Sequence, residues 1–242
     1  MKRYLAILAA IALFATTIAG EIWLRGWRRE SAPALSEGAY AMLGGLRSLF
    51  AEVIWFRVDR LQDEGKFVEL AQLMEGLSLM EPHTPEVWSY ASWNLAYNVS
   101  VMMAEPDDRW YWVERGIELL RDRGLTLNPD EPEIYRELAW LFELKLAADI
   151  DSAASHYRQR WKKIVEDIAA RNAWDELKMD PVRMKAVEMA TGFTDWTESS
   201  LHAMYWAAKG LECAEGKARS PLENIIRQSA ILYGKAKGMK VG

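Results

Sequence analysis

The residues that could do chemistry are few and scattered. The chain has three histidines, His83, His156 and His202, and none has another His or a Cys three or four places away on its helix. Glu198 stands four residues before His202. A pair supplies two donors where a metal needs three or four converging ones, so Glu198–His202 reads as a contact along a helix surface. Asp149 and Asp151 fall where one helix ends and the next begins, a place that capping explains better than acid–base work. Cys213 is the only cysteine, which excludes an intrachain disulfide and a thiolate metal cluster, and its apolar neighbours would raise its pKa away from reactivity. No Gly-rich phosphate cradle and no Gly-x-Ser-x-Gly elbow occurs. No cofactor and no metal is expected, and recognition is expected rather than catalysis.

Tryptophan is the residue in excess, with twelve copies. Trp88, Trp110 and Trp161 lie on apolar stripes of helical period and are expected in the core, where large aromatics dominate burial. Trp93 and Trp140 stand out for a different reason. Each follows another aromatic, Trp88 or Tyr135, by five residues, so it projects about 140° away from the stripe. With Asn94, Tyr97, Asn98 and Arg136 nearby, these two tryptophans could line a groove that holds a protein or peptide partner. Trp112 and Trp196 share this interest. The alternative is an enzyme or small-ligand receptor with a pocket near His202 and the Phe193–Trp196 loop.

The elements that must position these side chains are helices. Pro85-Glu-Val-Trp-Ser-Tyr-Ala-Ser-Trp-Asn-Leu95 returns as Pro132-Glu-Ile-Tyr-Arg-Glu-Leu-Ala-Trp-Leu-Phe142. In both copies Pro sits where a helix loses no hydrogen bond, Glu favours the positive end of the dipole, and apolar residues follow three to four apart. Each copy is therefore predicted as the first helix of a repeated hairpin. No stretch alternates as a strand would, so the class is all-α.

The run before the first copy, Gly65-Lys66-Phe67-Val68-Glu69-Leu70-Ala71-Gln72-Leu73-Met74-Glu75-Gly76-Leu77-Ser78-Leu79-Met80-Glu81-Pro82, followed by Trp88, resembles a tetratricopeptide (TPR) second helix entering the next repeat. Gly65, Phe67, Leu70, Met74, Leu77 and Pro82 fall on that family's places. Leu70 and Leu77 stand where small Ala is usual, and Trp88 and Tyr135 are 47 residues apart, against a family period of about 34. The resemblance implies a TPR-like α-solenoid with lengthened helices, recognisable over residues 46–145, whose first helices would present asparagines such as Asn94 and Asn98 to a bound peptide.

The spacing predicts hairpins from residue 37 to 170. Their helices run over 37–62 with Phe67–Met80, Pro85–Met103 with Pro106–Gly124, and Pro132–Ala148 with Ser152–Ala170. Residues 171–242 form a C-terminal capping region, in which Asp180-Pro181 opens a short helix and Ser220-Pro221-Leu222-Glu223 reads as a capping box.

Residues 1–30 read as a membrane segment. Lys2 and Arg3 precede the uncharged run Tyr4–Gly20, and Trp23, Arg25, Trp27, Arg28 and Arg29 follow it. A retained single-pass anchor fits this order, with a cleaved signal peptide as the alternative. Residues 31–36 are a linker. A short basic head stays inside, which puts the expected location at the inner membrane with the soluble domain on the periplasmic side. Net charge is −5 and the soluble part has no basic block, so nucleic acid is not expected as a partner. The function expected is that of a membrane-anchored scaffold for a protein partner in an envelope, secretion or pilus complex.

Overall fold

The computed structural model describes residues 53–239, which form helices, turns and bends with no strand among them. The expected anchor, the linker and the first part of the helix over 37–62 lie outside the described residues. Among the described residues no helix is long and apolar enough to cross a membrane. The chain enters as α1 (residues 53–63), turns at Gly65 with φ of 69°, and continues as α2 (Phe67–Met80), α3 (Pro85–Trp93), α4 (Pro106–Glu118) and α5 (Pro132–Trp140). Then come α6 (Ala154–Arg171), α7 (Pro181–Thr191), α8 (Ser199–Cys213) and α9 (Arg219–Ala236).

Helix ends follow local chemistry. Pro occupies the first turn of α3, α4, α5 and α7, where its missing N–H costs nothing. Asp180 caps α7 by accepting from the Val182 N–H at 2.9 Å, and Gly192 closes it with φ of 74°. Past α9, Gly238 takes φ of 64° while the Met239 N–H returns to the Gly234 carbonyl at 2.8 Å. The capping box at Ser220 is not formed. A single 3₁₀ turn, Gly216–Ala218, feeds the helix from Arg219 and no side chain caps it, so Ser220 and Pro221 already lie within the first turn.

The two sequence copies fold alike down to individual hydrogen bonds. Trp88 Nε1 donates to the Pro82 carbonyl at 2.9 Å, and Tyr135 Oη donates to the Pro129 carbonyl at 2.8 Å. The backbone entering each helix matches as well. The N–H groups of Glu81, Thr84 and Val87 bond to the carbonyls of Leu77, Glu81 and Thr84, and those of Asn128, Glu131 and Ile134 bond to Gly124, Asn128 and Glu131. Every donor and acceptor in the second set stands 47 residues after its counterpart in the first. The fourth place of the copy therefore holds Trp or Tyr for a reason beyond size: it needs an aromatic that carries a donor.

Three helices then widen. After nine residues α3 and α5 both loosen into π-helical turns, Asn94–Val99 and Leu141–Ala147, and α4 does so over Leu119–Gly124. A π turn admits an extra residue and swings the following side chains around the axis. The α3 and α4 segments close again into short α-helical ends, Ser100–Met102 and Leu125–Leu127.

A continuous core joins Trp88, Trp110, Tyr135, Phe142, Trp161 and Trp206, so the three stripe tryptophans are buried as expected. A second cluster, with Val58, Leu61, Leu70 and Leu77, fastens α1 to α2 and α3. The C-terminal helices belong to the same compact unit. Helix α8 lies along α5 closely enough that a Cβ on Gly210 would sit 2.7 Å from Tyr135 Cβ. Gly116 makes a similar approach at the α3–α4 crossing, 3.0 Å from the Ser92 carbonyl, whose hydroxyl donates to the Gly116 carbonyl at 2.8 Å.

Candidate partner-binding face

The sequence singled out Trp93, Asn94, Tyr97, Asn98, Arg136 and Trp140, and the fold brings part of that set together. Trp93, Tyr97 and Trp140 border one closed seam with Glu137, too tight to admit a water molecule, where the end of α3 and the π turn after it meet the end of α5. Trp93 stacks on Tyr97 with ring centres 6.1 Å apart. Behind Trp93 the row continues through Tyr90 at 6.3 Å to Trp55 on α1, 5.7 Å further, with the Tyr90 hydroxyl donating to Gln62 Oε1. Trp140 keeps 39% of its surface in solvent. Arg136, four residues before Trp140 on α5, pairs with Glu137 at 2.6 Å, so the guanidinium and the carboxylate partly neutralise each other. Burial outweighs that pairing for Glu137 and raises its pKa above the usual carboxylate range.

The two asparagines are tied into the fold. Asn94 has no exposed surface, and its Nδ2 donates to the Phe67 carbonyl at 3.1 Å, which ties the start of α2 to the π turn of α3. Asn98 Nδ2 then donates to Asn94 Oδ1 at 3.1 Å. Both amides hydrogen-bond within the fold, Asn94 fully buried and Asn98 with part of its surface in solvent.

Next to the aromatic row lies a buried charged cluster that spacing did not reveal. Lys145 Nζ meets Asp151 Oδ2 at 2.6 Å and lies over the Tyr97 and Tyr157 rings at 4.9 and 5.6 Å. Arg109 reaches the other Asp151 oxygen at 3.2 Å, and the Ala153 N–H bonds to that oxygen at 2.9 Å. Burial pushes the Asp151 carboxyl up, but Lys145, the Ala153 N–H and Arg109 together hold it below its ordinary value. Burial likewise lowers the Lys145 pKa, and Asp151 offsets that in part. Asp151 thus shapes the entry to α6, as a capping reading expects, and also pins α4, α5 and α6 together. A cavity of about 310 Å³ opens over Tyr97, Arg109, Lys145 and Ile150.

Glu143, two residues before Lys145, is 5% exposed and its carboxylate makes no hydrogen bond within the protein; burial alone pushes that carboxyl up to about 7. The signal for both residues was present in Phe142-Glu-Leu-Lys-Leu146, two charges inside an apolar run. The Tyr97 hydroxyl is buried without a partner, and its pKa is raised by burial and by the carboxylates of Glu137, Glu143 and Asp151.

The residues of the alternative reading are used in packing. His202 has no exposed surface; Trp196 and Trp161 meet its ring edge-on and Phe142 stacks on it, with centres 5.1 to 5.7 Å away. Its Nε2–H donates to the Trp196 carbonyl at 2.8 Å, and burial, eased only partly by that bond, lowers its pKa to about 4. Glu198 turns to Lys237 at 2.8 Å instead of to His202. The Phe193–Trp196 loop is closed down: Phe193 stacks on Tyr233 at 4.2 Å, and the buried Trp196 donates to Glu188 at 2.9 Å. Among the described residues no three His, Cys, Asp or Glu side chains converge as a metal site. Trp112 lines a different groove, a cavity of about 430 Å³ between α2 and α4 that also holds Val68, Leu95 and Tyr111. Compared with family models, curated proteins and solved structures, the chain gives no match.

Proposed function

We propose that the chain is a membrane-anchored, TPR-like scaffold that holds a protein partner on the face carrying Trp93, Tyr97 and Trp140. The observation behind this reading is that Trp93 and Trp140, equivalent positions in the two copies, border the same seam on one face while Trp140 remains 39% exposed. Partly exposed aromatics on a rigid helical face lose little conformational freedom when covered, which is why Trp and Tyr recur as interface anchors. The paired Glu137 and Arg136 on the same helix would orient a partner more than tighten it. Residues 1–30 would hold the scaffold at the inner membrane with its helical unit on the periplasmic side, and so raise its local concentration near a membrane-bound partner. Assembly of an envelope, secretion or pilus complex is the task such a scaffold would serve.

The test is affinity purification of the tagged full chain from detergent-solubilised membranes, with co-purifying proteins identified by mass spectrometry. A specific protein is expected with the natural chain and should be lost or reduced about tenfold with Trp140→Ala, a change that leaves the domain folded with an unfolding midpoint lowered by about a few degrees for the packing it removes. If the same proteins remain at the same yield with Trp140→Ala and with Trp93→Ala, this face is not the interface and the reading is wrong.

A further inference from the structure

Lys145 is a buried ammonium that the fold leaves short of acceptors. The residue is 2% exposed, yet among the described residues its Nζ has a single hydrogen-bond acceptor, Asp151 Oδ2 at 2.6 Å, where an ammonium carries three donors. The Tyr97 and Tyr157 rings, 4.9 and 5.6 Å away, offer the charge a π face and no lone pair. Asp151 is in the reverse position. It accepts from Lys145 Nζ, Tyr157 Oη, Arg109 Nη1 and the Ala153 N–H, which fills the roughly four sites of a carboxylate. Buried donors are nearly always met, so the shortfall at Lys145 marks a place for a further acceptor. Space for one adjoins it. The cavity of about 310 Å³ is lined by Lys145, Arg109 and Asp151 together with Val101, Leu144 and Ile150.

We propose that this cavity binds a small aliphatic carboxylate, its head group on Lys145 and its chain against Val101, Leu144 and Ile150. Charge selects the head group. Lys145 and Arg109 are the cations of the lining and Asp151 is its only anion, which leaves one positive charge and suits a monoanion better than a phosphate dianion. Glu137 and Glu143 act on the Tyr97 hydroxyl but do not line the cavity. Apolar surface selects the tail. Val101 is 47% and Ile150 66% exposed, and Leu144 is half-buried beside them, so a short alkyl chain would cover surface that the fold leaves in water. The volume lies at the small end of ligand pockets and limits that chain to a few carbons. The cavity adjoins the face carrying Trp93 and Trp140 through Tyr97, but it rests on other residues and stands whether or not a protein covers Trp140.

The experiment titrates hexanoate into the full chain in phosphatidylcholine nanodiscs at neutral pH and reads binding by saturation-transfer NMR on the hexanoate protons, with nanodiscs lacking the protein as the baseline. A Kd on the order of 1 mM is expected. Hexanamide, the same shape without the charge, should bind about tenfold more weakly. Lys145→Met should weaken hexanoate by about tenfold or more, while Arg109 and the Ala153 N–H keep Asp151 paired. Ile150→Asp and Ile150→Lys alter an exposed side chain that makes none of the cluster's hydrogen bonds, and the first should bind hexanoate about fivefold more weakly than the second. The Ile150 pair and hexanamide decide the matter if Lys145→Met does not fold. No binding of hexanoate overturns the proposal, as do hexanamide bound equally well, inorganic phosphate bound more tightly than hexanoate, or equal affinities in the two Ile150 variants. A folded Lys145→Met chain that keeps full affinity overturns it too.

Discussion

Replacing Glu143 by Gln should make the protein more stable above neutral pH and leave it nearly unchanged in acid. The side chain is 5% exposed, lacks a hydrogen bond, and titrates at about 7 in the fold against an ordinary value of 4.5. Because the folded value is raised, the folded chain holds a proton that the unfolded chain has released throughout the window from 4.5 to about 7. Stability is thus fully present below 4.5 and declines as pH rises through 7. At about 1.36 kcal/mol for each unit, the ionised carboxylate costs about 3 kcal/mol by pH 8. Gln keeps the shape and removes the charge. At pH 8 the variant should gain about 3 kcal/mol less the small cost of a buried amide, a rise of about 5–10 °C in Tm for a domain of this size. The assay is urea unfolding followed by tryptophan fluorescence at half-unit steps from pH 5 to pH 9, on both proteins. Subtracting the two curves isolates Glu143, since every other titrating group is common to both. A difference that stays flat across that range, or a variant less stable at pH 8, would refute the argument that this carboxyl is desolvated and unpaired.

The remaining expectations concern the packing around the same core. His202 titrates in the opposite sense: its folded pKa of about 4 lies below the ordinary 6.5, so its share of the stability is present above 6.5 and is lost as pH falls toward 4, up to about 3 kcal/mol. The acid limb of the urea midpoint against pH should flatten in His202→Phe, and an unchanged limb counts against the assignment. Gly210→Ala places a Cβ 2.7 Å from Tyr135 Cβ and 3.1 Å from Leu222 Cδ2, and should cost about 2 kcal/mol in urea unfolding. A neutral result would mean that α5 and α8 can separate freely. Tyr135→Phe removes the donor to the Pro129 carbonyl and should cost about 1 kcal/mol, read as a drop in Tm; no change would show that the donor at the fourth place of the copy is dispensable.

The sequence by itself determined the helical class and most of the element boundaries. Those signals act over one turn: Pro at the start of α3, α4, α5 and α7, Asp180 as a cap, and glycines at positive φ after α7 and α9. The copy at Pro85 and Pro132 was legible too, because the same local bonds demand the same residue types 47 places later. Tertiary structure alone decided the rest. Helices α3 and α5 read as regular along their whole length, yet both loosen after the ninth residue, and only the packing of neighbouring helices buries Asn94 against the Phe67 carbonyl while Trp140 keeps part of its surface in solvent. Whether Lys145 is a surface charge or a buried one depends on where Asp151, Tyr97 and Tyr157 arrive from other helices. His202 is neutral because Phe142, Trp161 and Trp196 close around it from three separate segments. Backbone preferences are set by near neighbours in the chain, whereas desolvation and pairing are set by neighbours in space that no local spacing reveals.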